Sequence, residues 1–148
     1  MKLSLCLAAA LVIAFLPARH PQEKERKKHA EPETVLAGHM EHIEDAVKVV
    51  RRSMREKATP AALAALAEIE GLTLQCKALE PATAAKLPEK ERAAFVLAYR
   101  RTMVDFLTRQ LELEAALLDG DETAAQTAFE RFREMEDSSH ERFAPEED

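Results

Sequence analysis

Two side chains that can donate to a transition metal lie far apart in this sequence, Met40 and His140. A thioether sulfur is a soft donor and an imidazole nitrogen is a common one, and both bind haem iron or copper. Each also has a structural interpretation, because methionine fills gaps in helical cores and histidine is favoured near helix C-termini. The pair therefore predicts a metal or haem site only if the fold brings the two side chains together.

Two more histidines flank Met40. His39 and His42 have the i, i+3 spacing of one helical face, with Glu41 and Asp45 nearby. This set could chelate zinc or copper, or it could be a solvated helical face that binds no metal. The Glu-x-x-His pattern of ferritin-like di-iron bundles does not precede any histidine in the sequence.

Catalytic motifs are missing from the sequence. There is no Gly-rich phosphate loop and no nucleophile with a partnered base, and three glycines leave little from which to build catalytic loops. We therefore predict that the protein is not an enzyme.

The N-terminal sequence has the layout of a secretory signal. Residues 1–18 contain Lys2, an apolar run over 3–16 and small residues near the end. The run is shorter than the roughly 20 residues that span a bilayer, and retention as an uncleaved anchor is the alternative. We predict a signal peptide over 1–18, a charged linker over 19–33 and export to the periplasm.

The charge of the chain indicates which classes of partner to expect, and its cysteine content indicates whether a disulfide can form. The chain carries 21 Lys and Arg against 27 Asp and Glu, a net charge of −6, and removing Lys2 with the signal makes it more negative. This balance disfavours nucleic acid, and we expect no stable membrane association after cleavage. With Cys6 in the signal, only Cys76 remains, so no intramolecular disulfide can form. Cys76 lies on an apolar face, which favours a buried thiol over a reactive one.

Helical periodicity dominates the rest of the chain. Apolar residues recur three and four apart without strand-like alternation, which predicts an all-α domain over 34–144 and an acidic tail over 145–148. The predicted helices cover 35–57, 60–79, 88–118 and 122–143, with a connection over 80–88. Helices joined by short loops pack antiparallel, which predicts an up-down-up-down four-helix bundle.

This topology brings the two donors to one end of the bundle. The first helix begins where the fourth one ends, so Met40 lies roughly 7 Å and His140 roughly 5 Å from that end. Both follow the inner faces of their helices. Phe95, Tyr99 and Cys76 come from the neighbouring helices, and a flat apolar cofactor with central iron would fit between them.

Two segments resemble the soluble periplasmic cytochrome b-562 family, and the resemblance extends over 36–143. HMEHIEDAVKVV, at 39–50, is similar to the family's first helix, and DGDETAAQTAFERFREMEDSSHERF, at 119–143, is similar to its last loop and helix. The resemblance implies a b-type cytochrome with one non-covalent haem b, axial ligands Met40 and His140, and one-electron transfer. No C-x-x-C-H motif precedes His140, so no covalent link to haem is expected.

One residue departs from the family pattern. Glu136 stands one turn before His140, where the type member has an arginine close to the haem. An acid at this position would lower the potential of the iron or weaken haem binding. Arg92 and Arg142 are the candidate partners of the haem propionates. The acidic surface favours a basic redox partner, which the sequence does not identify.

A second function from a different class stays open. A haem-free periplasmic four-helix bundle could act as a binding or structural module, with Met40 and His140 serving only in packing. Glu136 favours this alternative, because an acid beside a haem is unexpected.

Overall fold

The computed structural model describes residues 32–143 of the chain. The predicted signal peptide over 1–18, residues 19–31 of the predicted linker over 19–33 and the predicted tail over 145–148 lie outside these residues. The described part is helical and has no strands, which confirms the predicted all-α class. Its helices are α1 (Pro32–Arg55), α2 (Thr59–Cys76), α3 (Ala82–Lys86), α4 (Glu89–Asp119) and α5 (Glu122–Phe143).

The ends of the long helices differ from the predicted ones by a few residues. α1 begins at Pro32, inside the predicted linker, and ends at Arg55, after which Lys57 adopts a left-handed conformation (φ 55°). α2 begins at Thr59, one residue before its predicted start at residue 60, and Ala58 occupies the N-cap position. The predicted end of α2 at residue 79 is also wrong. After Cys76 the chain continues in tight turns, with the Leu79 N–H donating to the Cys76 carbonyl.

The predicted connection over 80–88 contains the short helix α3. Its last carbonyls are bound by Arg92 of α4, whose Nε donates to the Ala84 oxygen (3.1 Å) and whose Nη2 donates to the Ala85 oxygen (3.3 Å). The Thr83 hydroxyl donates to the carbonyl oxygen of Phe143 (2.9 Å). α3 is therefore tied both to the start of α4 and to the end of α5.

The core lies along the apolar faces of the four long helices, where buried residues recur three and four apart. Gln110 is fully buried and donates through Nε2 to the Thr73 hydroxyl (2.8 Å), and the rings of Phe106 and Phe132 stack at 4.9 Å. Burial of these apolar faces is the main force that holds the helices together. The largest apolar side chains of the core are Ile43, Val47 and Val50 of α1, Leu66, Ile69 and Leu72 of α2, Tyr99, Met103, Phe106 and Leu113 of α4, and Phe129, Phe132 and Phe143 of α5.

The helices pack into a bundle-like arrangement. α1 packs closely against α2, α2 against α4, and α4 against α5. Between 32 and 143, α1 and α5 show no comparable approach of their backbones. No helix in this region has both the length and the apolar character needed to cross a membrane.

Candidate functional site

A cavity of about 430 Å³ opens between α1 and α5, where the two helices lack close contact. Its volume lies within the range of about 300–1,000 Å³ that is typical of small-molecule sites. Met40 of α1 and His140 of α5 both line it. Both side chains are half-buried. The fold therefore brings together the two potential iron ligands that the sequence separates.

Helical spacing explains why both donors face this cavity. Met40 lies between Leu36 and Ile43 on the inner face of α1, at steps of four and three residues. His140 lies between Glu136 and Phe143 on α5, at the same steps. Side chains three and four residues apart share one face of a helix. Each donor therefore points to the same side as the buried residues of its own helix.

Apolar side chains form most of the cavity wall. Tyr99, Met103 and Phe106 of α4 line the cavity, and so does Phe143 at the end of α5. The segment 81–83 before and within α3 closes the same end of the molecule. Sequence reasoning treated this segment only as a connection, because a one-turn helix has too few residues to show periodicity.

Phe95 and Cys76, which we predicted to line the cofactor site, do not line the cavity. Phe95 is half-buried and packs edge-to-face on Phe143, with ring centroids 5.3 Å apart, but does not line the cavity. Cys76 does not line it either, although its carbonyl oxygen accepts a hydrogen bond from the Tyr99 hydroxyl (3.0 Å). Burial raises the pKa of the Cys76 thiol to about 11. The thiol is therefore protonated and inert, as its apolar surroundings predicted.

Glu136 is a buried acid in the lining, and it is 4% exposed. Arg133, one turn earlier on α5, donates to Glu136 Oε2 and also contacts Asp137 at 3.3 Å. Burial raises the pKa of the Glu136 carboxyl above its ordinary value, and this effect outweighs Arg133 and His140, which lower it. The acid is therefore held in place by a cation that sequence reasoning did not include in the site.

A second groove, of about 300 Å³, continues from this cavity along α1 and α5. The two spaces share Glu44, Glu136 and His140, and the groove adds the cations Lys48, Arg51 and Arg133. The i, i+4, i+7 spacing of Glu44, Lys48 and Arg51 was a usable signal for this edge of α1.

The cations expected beside a cofactor lie elsewhere. Arg92 and Arg142 line neither the cavity nor the groove. Arg92 binds the carbonyls of α3, and the guanidinium of Arg142 lies over the ring of Phe143 at 5.1 Å. The sequence could not reveal the position of Arg92, because α3 was not predicted and its carbonyls were therefore not recognised as acceptors for an arginine.

The alternative metal site at His39 and His42 has no supporting geometry. His42 Nε2 pairs with Glu68 Oε1 of α2 at 2.8 Å, so this histidine contacts the neighbouring helix. In the region from 32 to 143, no three or more His, Cys, Asp or Glu side chains are grouped so that they could hold a metal ion.

The cavity thus combines a thioether, an imidazole, apolar walls and one buried acid with its own cation. Such a donor set suits a large, flat, mostly apolar ligand better than a bare metal ion. Comparison with known proteins gives no matching family model, no matching curated protein and no matching solved structure.

Proposed function

We propose that the protein is an exported b-type cytochrome of the periplasm, which binds one non-covalent haem b and transfers single electrons. The observation that carries the proposal is the joint presence of Met40 and His140 in the lining of one apolar cavity. An up-down-up-down antiparallel order of the four long helices is part of the proposal. It accounts for the first and last helices meeting at this cavity.

The residues present fit such a group. Sulfur and imidazole nitrogen are the axial donor pair of many electron-transfer cytochromes. The aromatic and methionine side chains of α4 offer the apolar wall that a porphyrin face requires. Lys48, Arg51 and Arg133 lie along the adjoining groove and replace Arg92 and Arg142 as candidate partners of carboxylates.

The proposed mechanism assigns each residue a separate task. Bound haem would supply one iron that alternates between the ferric and ferrous states. The Met40 sulfur and a ring nitrogen of His140 would be the protein ligands that hold the haem iron. Tyr99, Met103 and Phe106 would keep water from the wall, and an apolar wall with a thioether ligand favours the ferrous form. The Glu136 carboxylate would oppose this preference, and Arg133 would offset part of its charge.

Hemin titration of the purified chain tests the proposal. We expect one equivalent to bind and to give sharp low-spin bands after reduction. Met40→Leu should convert the spectrum to a high-spin type, and His140→Ala should weaken binding at least about tenfold through loss of an iron ligand. His42→Ala is the matched control, because this histidine pairs with Glu68 outside the cavity. A broad unshifted hemin band in the unmodified chain would contradict the proposal.

A second candidate is a haem-free module that binds a small apolar ligand. The buried Glu136 favours it, since an anion in the lining suits a ligand with a donor group better than it suits haem. Displacement of an apolar fluorescent probe from the cavity distinguishes the two. The module predicts that the unmodified chain binds the probe and that hemin added to the unmodified chain gives no low-spin spectrum.

A further inference from the structure

The outer face of α4 carries an exposed apolar stripe. Leu97, Val104, Leu111 and Leu118 recur every seven residues, and they are 70%, 47%, 48% and 66% exposed. At 1.5 Å per residue the stripe is about 32 Å long. A regular row of exposed large apolar side chains at heptad spacing is typical of a helix that packs on a second helix.

The stripe lies away from the cavity. Leu97 and Tyr99, and likewise Val104 and Phe106, are two residues apart, which separates their directions by about 200° around the helix. Tyr99 and Phe106 line the cavity, so the stripe lies on the other side of α4. This surface is therefore independent of the proposed haem site.

Charges along α4 differ between its two halves. Arg100 and Arg101 lie among the first two apolar residues of the stripe, while Glu112 and Glu114 lie among the last two. Within residues 32–143, Arg101 has no carboxylate within ion-pair distance. An antiparallel second copy of α4 would bring the basic half of one helix against the acidic half of the other, whereas a parallel copy would align like charges.

Two unpaired acids lie beside the stripe at one point. Glu114 of α4 is close enough to Glu70 of α2 for the two carboxyls to repel, and burial together with Glu114 raises the pKa of Glu70. Glu70 Oε1 is buried without a hydrogen-bond partner in the described residues. A cation delivered from outside would satisfy this pair, because an unpaired buried acid is costly.

We propose that the outer face of α4 is the interface of a homodimer in which two copies of α4 pack antiparallel. A two-fold axis midway between Val104 and Leu111 brings Leu97 to the level of Leu118 in the second copy. The same axis brings Arg101 to the level of Glu114 in the second copy. In this single register the two apolar stripes pack on each other, and Arg101 of each copy lies beside Glu114 of the other copy.

Sedimentation equilibrium of the full chain tests the dimer, at about 100 µM, where even contacts of modest affinity are populated. We expect twice the monomer mass. Leu111→Glu should give the monomer mass with unchanged far-UV circular dichroism, because the substituted side chain is exposed. Arg131→Glu, on an exposed site of α5, is the matched charge control and should keep the dimer.

Charge reversal tests the pairing. Arg101→Glu and Glu114→Arg should each weaken dimerisation about tenfold or more, and the double variant should recover it, because both pairs are then restored in reverse. If the unmodified chain has the monomer mass, the proposal is overturned. This result is also expected if residues 3–16, rather than a second copy, cover the stripe. A dimer that survives Leu111→Glu, or a double variant that stays weak, overturns the interface or its antiparallel register.

Discussion

The carboxyl of Glu136 experiences two opposing effects in the cavity lining. Burial removes water from it and favours the neutral form, while Arg133 and His140 favour the charged form. Burial dominates, so the pKa of the Glu136 carboxyl in the folded protein lies above the ordinary value of 4.5. Folding therefore binds a proton at this site more tightly than the unfolded chain does.

This shift predicts a pH-dependent effect on stability. The favourable contribution of Glu136 is fully present below the unfolded pKa and is lost as pH rises through the raised folded pKa. Glu136→Gln removes this titration. As pH rises from about 4 to 7, the free energy of unfolding of the unmodified chain should therefore fall relative to that of Glu136→Gln. Urea unfolding of the ligand-free protein at several pH values measures this difference.

Glu134→Gln is the control for this measurement, since Glu134 lies on the same helix but is exposed. Its free energy of unfolding relative to the unmodified chain is the reference with which the Glu136→Gln difference is compared at each pH. A difference for Glu136→Gln that is constant, or that shrinks toward pH 7, would show that burial does not dominate at this carboxyl.

Individual residues of the site were predictable to different degrees. Met40, Tyr99, Glu136 and His140 were found from helical spacing, because side chains three and four apart must share a face. Phe95 and Cys76 were placed one layer too close to the cavity. Periodicity gives the direction of a side chain but not its depth, which depends on how neighbouring rings such as Phe143 fill the space.

At the scale of the helices, α2 and α4 are joined by a buried polar contact. Gln110 donates to the Thr73 hydroxyl, and the Gln110 side-chain oxygen has no partner in the described residues. Thr73→Val should destabilise the fold by about 1–3 kcal/mol, because it leaves the buried amide entirely unpaired. Adding Gln110→Leu should recover most of that loss. Urea unfolding of both variants measures it, and additive losses would contradict the prediction.

The turn between α4 and α5 depends on a glycine. Gly120 has a φ of 69°, and the following N–H, of Asp121, donates to the Ala116 carbonyl (3.1 Å). Gly120→Ala should cost about 1–2 kcal/mol, because side chains are strained in this conformation. Gly38→Ala is the contrast, since Gly38 lies inside α1 with open space around it, and it should stabilise by about 0.5–1 kcal/mol. Thermal unfolding compares the two, and equal effects would contradict the assignment.

The predicted break between residues 118 and 122 agrees with the structure, and the connection before α4 was not predicted. At this break Gly120 ends α4, and Asp121 Oδ1 accepts the Ala124 N–H as a cap. α3 depends instead on distant partners, Arg92 and the Phe143 carbonyl. Local patterns contain no information on such contacts.

For the whole molecule, ligand binding and folding are linked. A ligand that binds only the folded chain stabilises it by about 2.7 kcal/mol when its free concentration is 100 times its dissociation constant. Hemin should therefore raise the midpoint of thermal unfolding of the unmodified chain and of His42→Ala by similar amounts, and that of His140→Ala by less, because this variant binds hemin more weakly. Scanning calorimetry measures the shift. An equal rise in all three would mean that hemin binds without His140.

The amino-acid sequence was enough to establish the helical class, the four long helices and the inner face of each, because periodicity and turn chemistry act over a few residues. It was also enough to select Met40 and His140 as the side chains to follow. Three features depended on the packed molecule: the gap between α1 and α5, the cations along that gap and the unpaired acids beside the α4 stripe. Each arises where side chains from separate helices meet, and the distances between helices are set by the packing of the whole core.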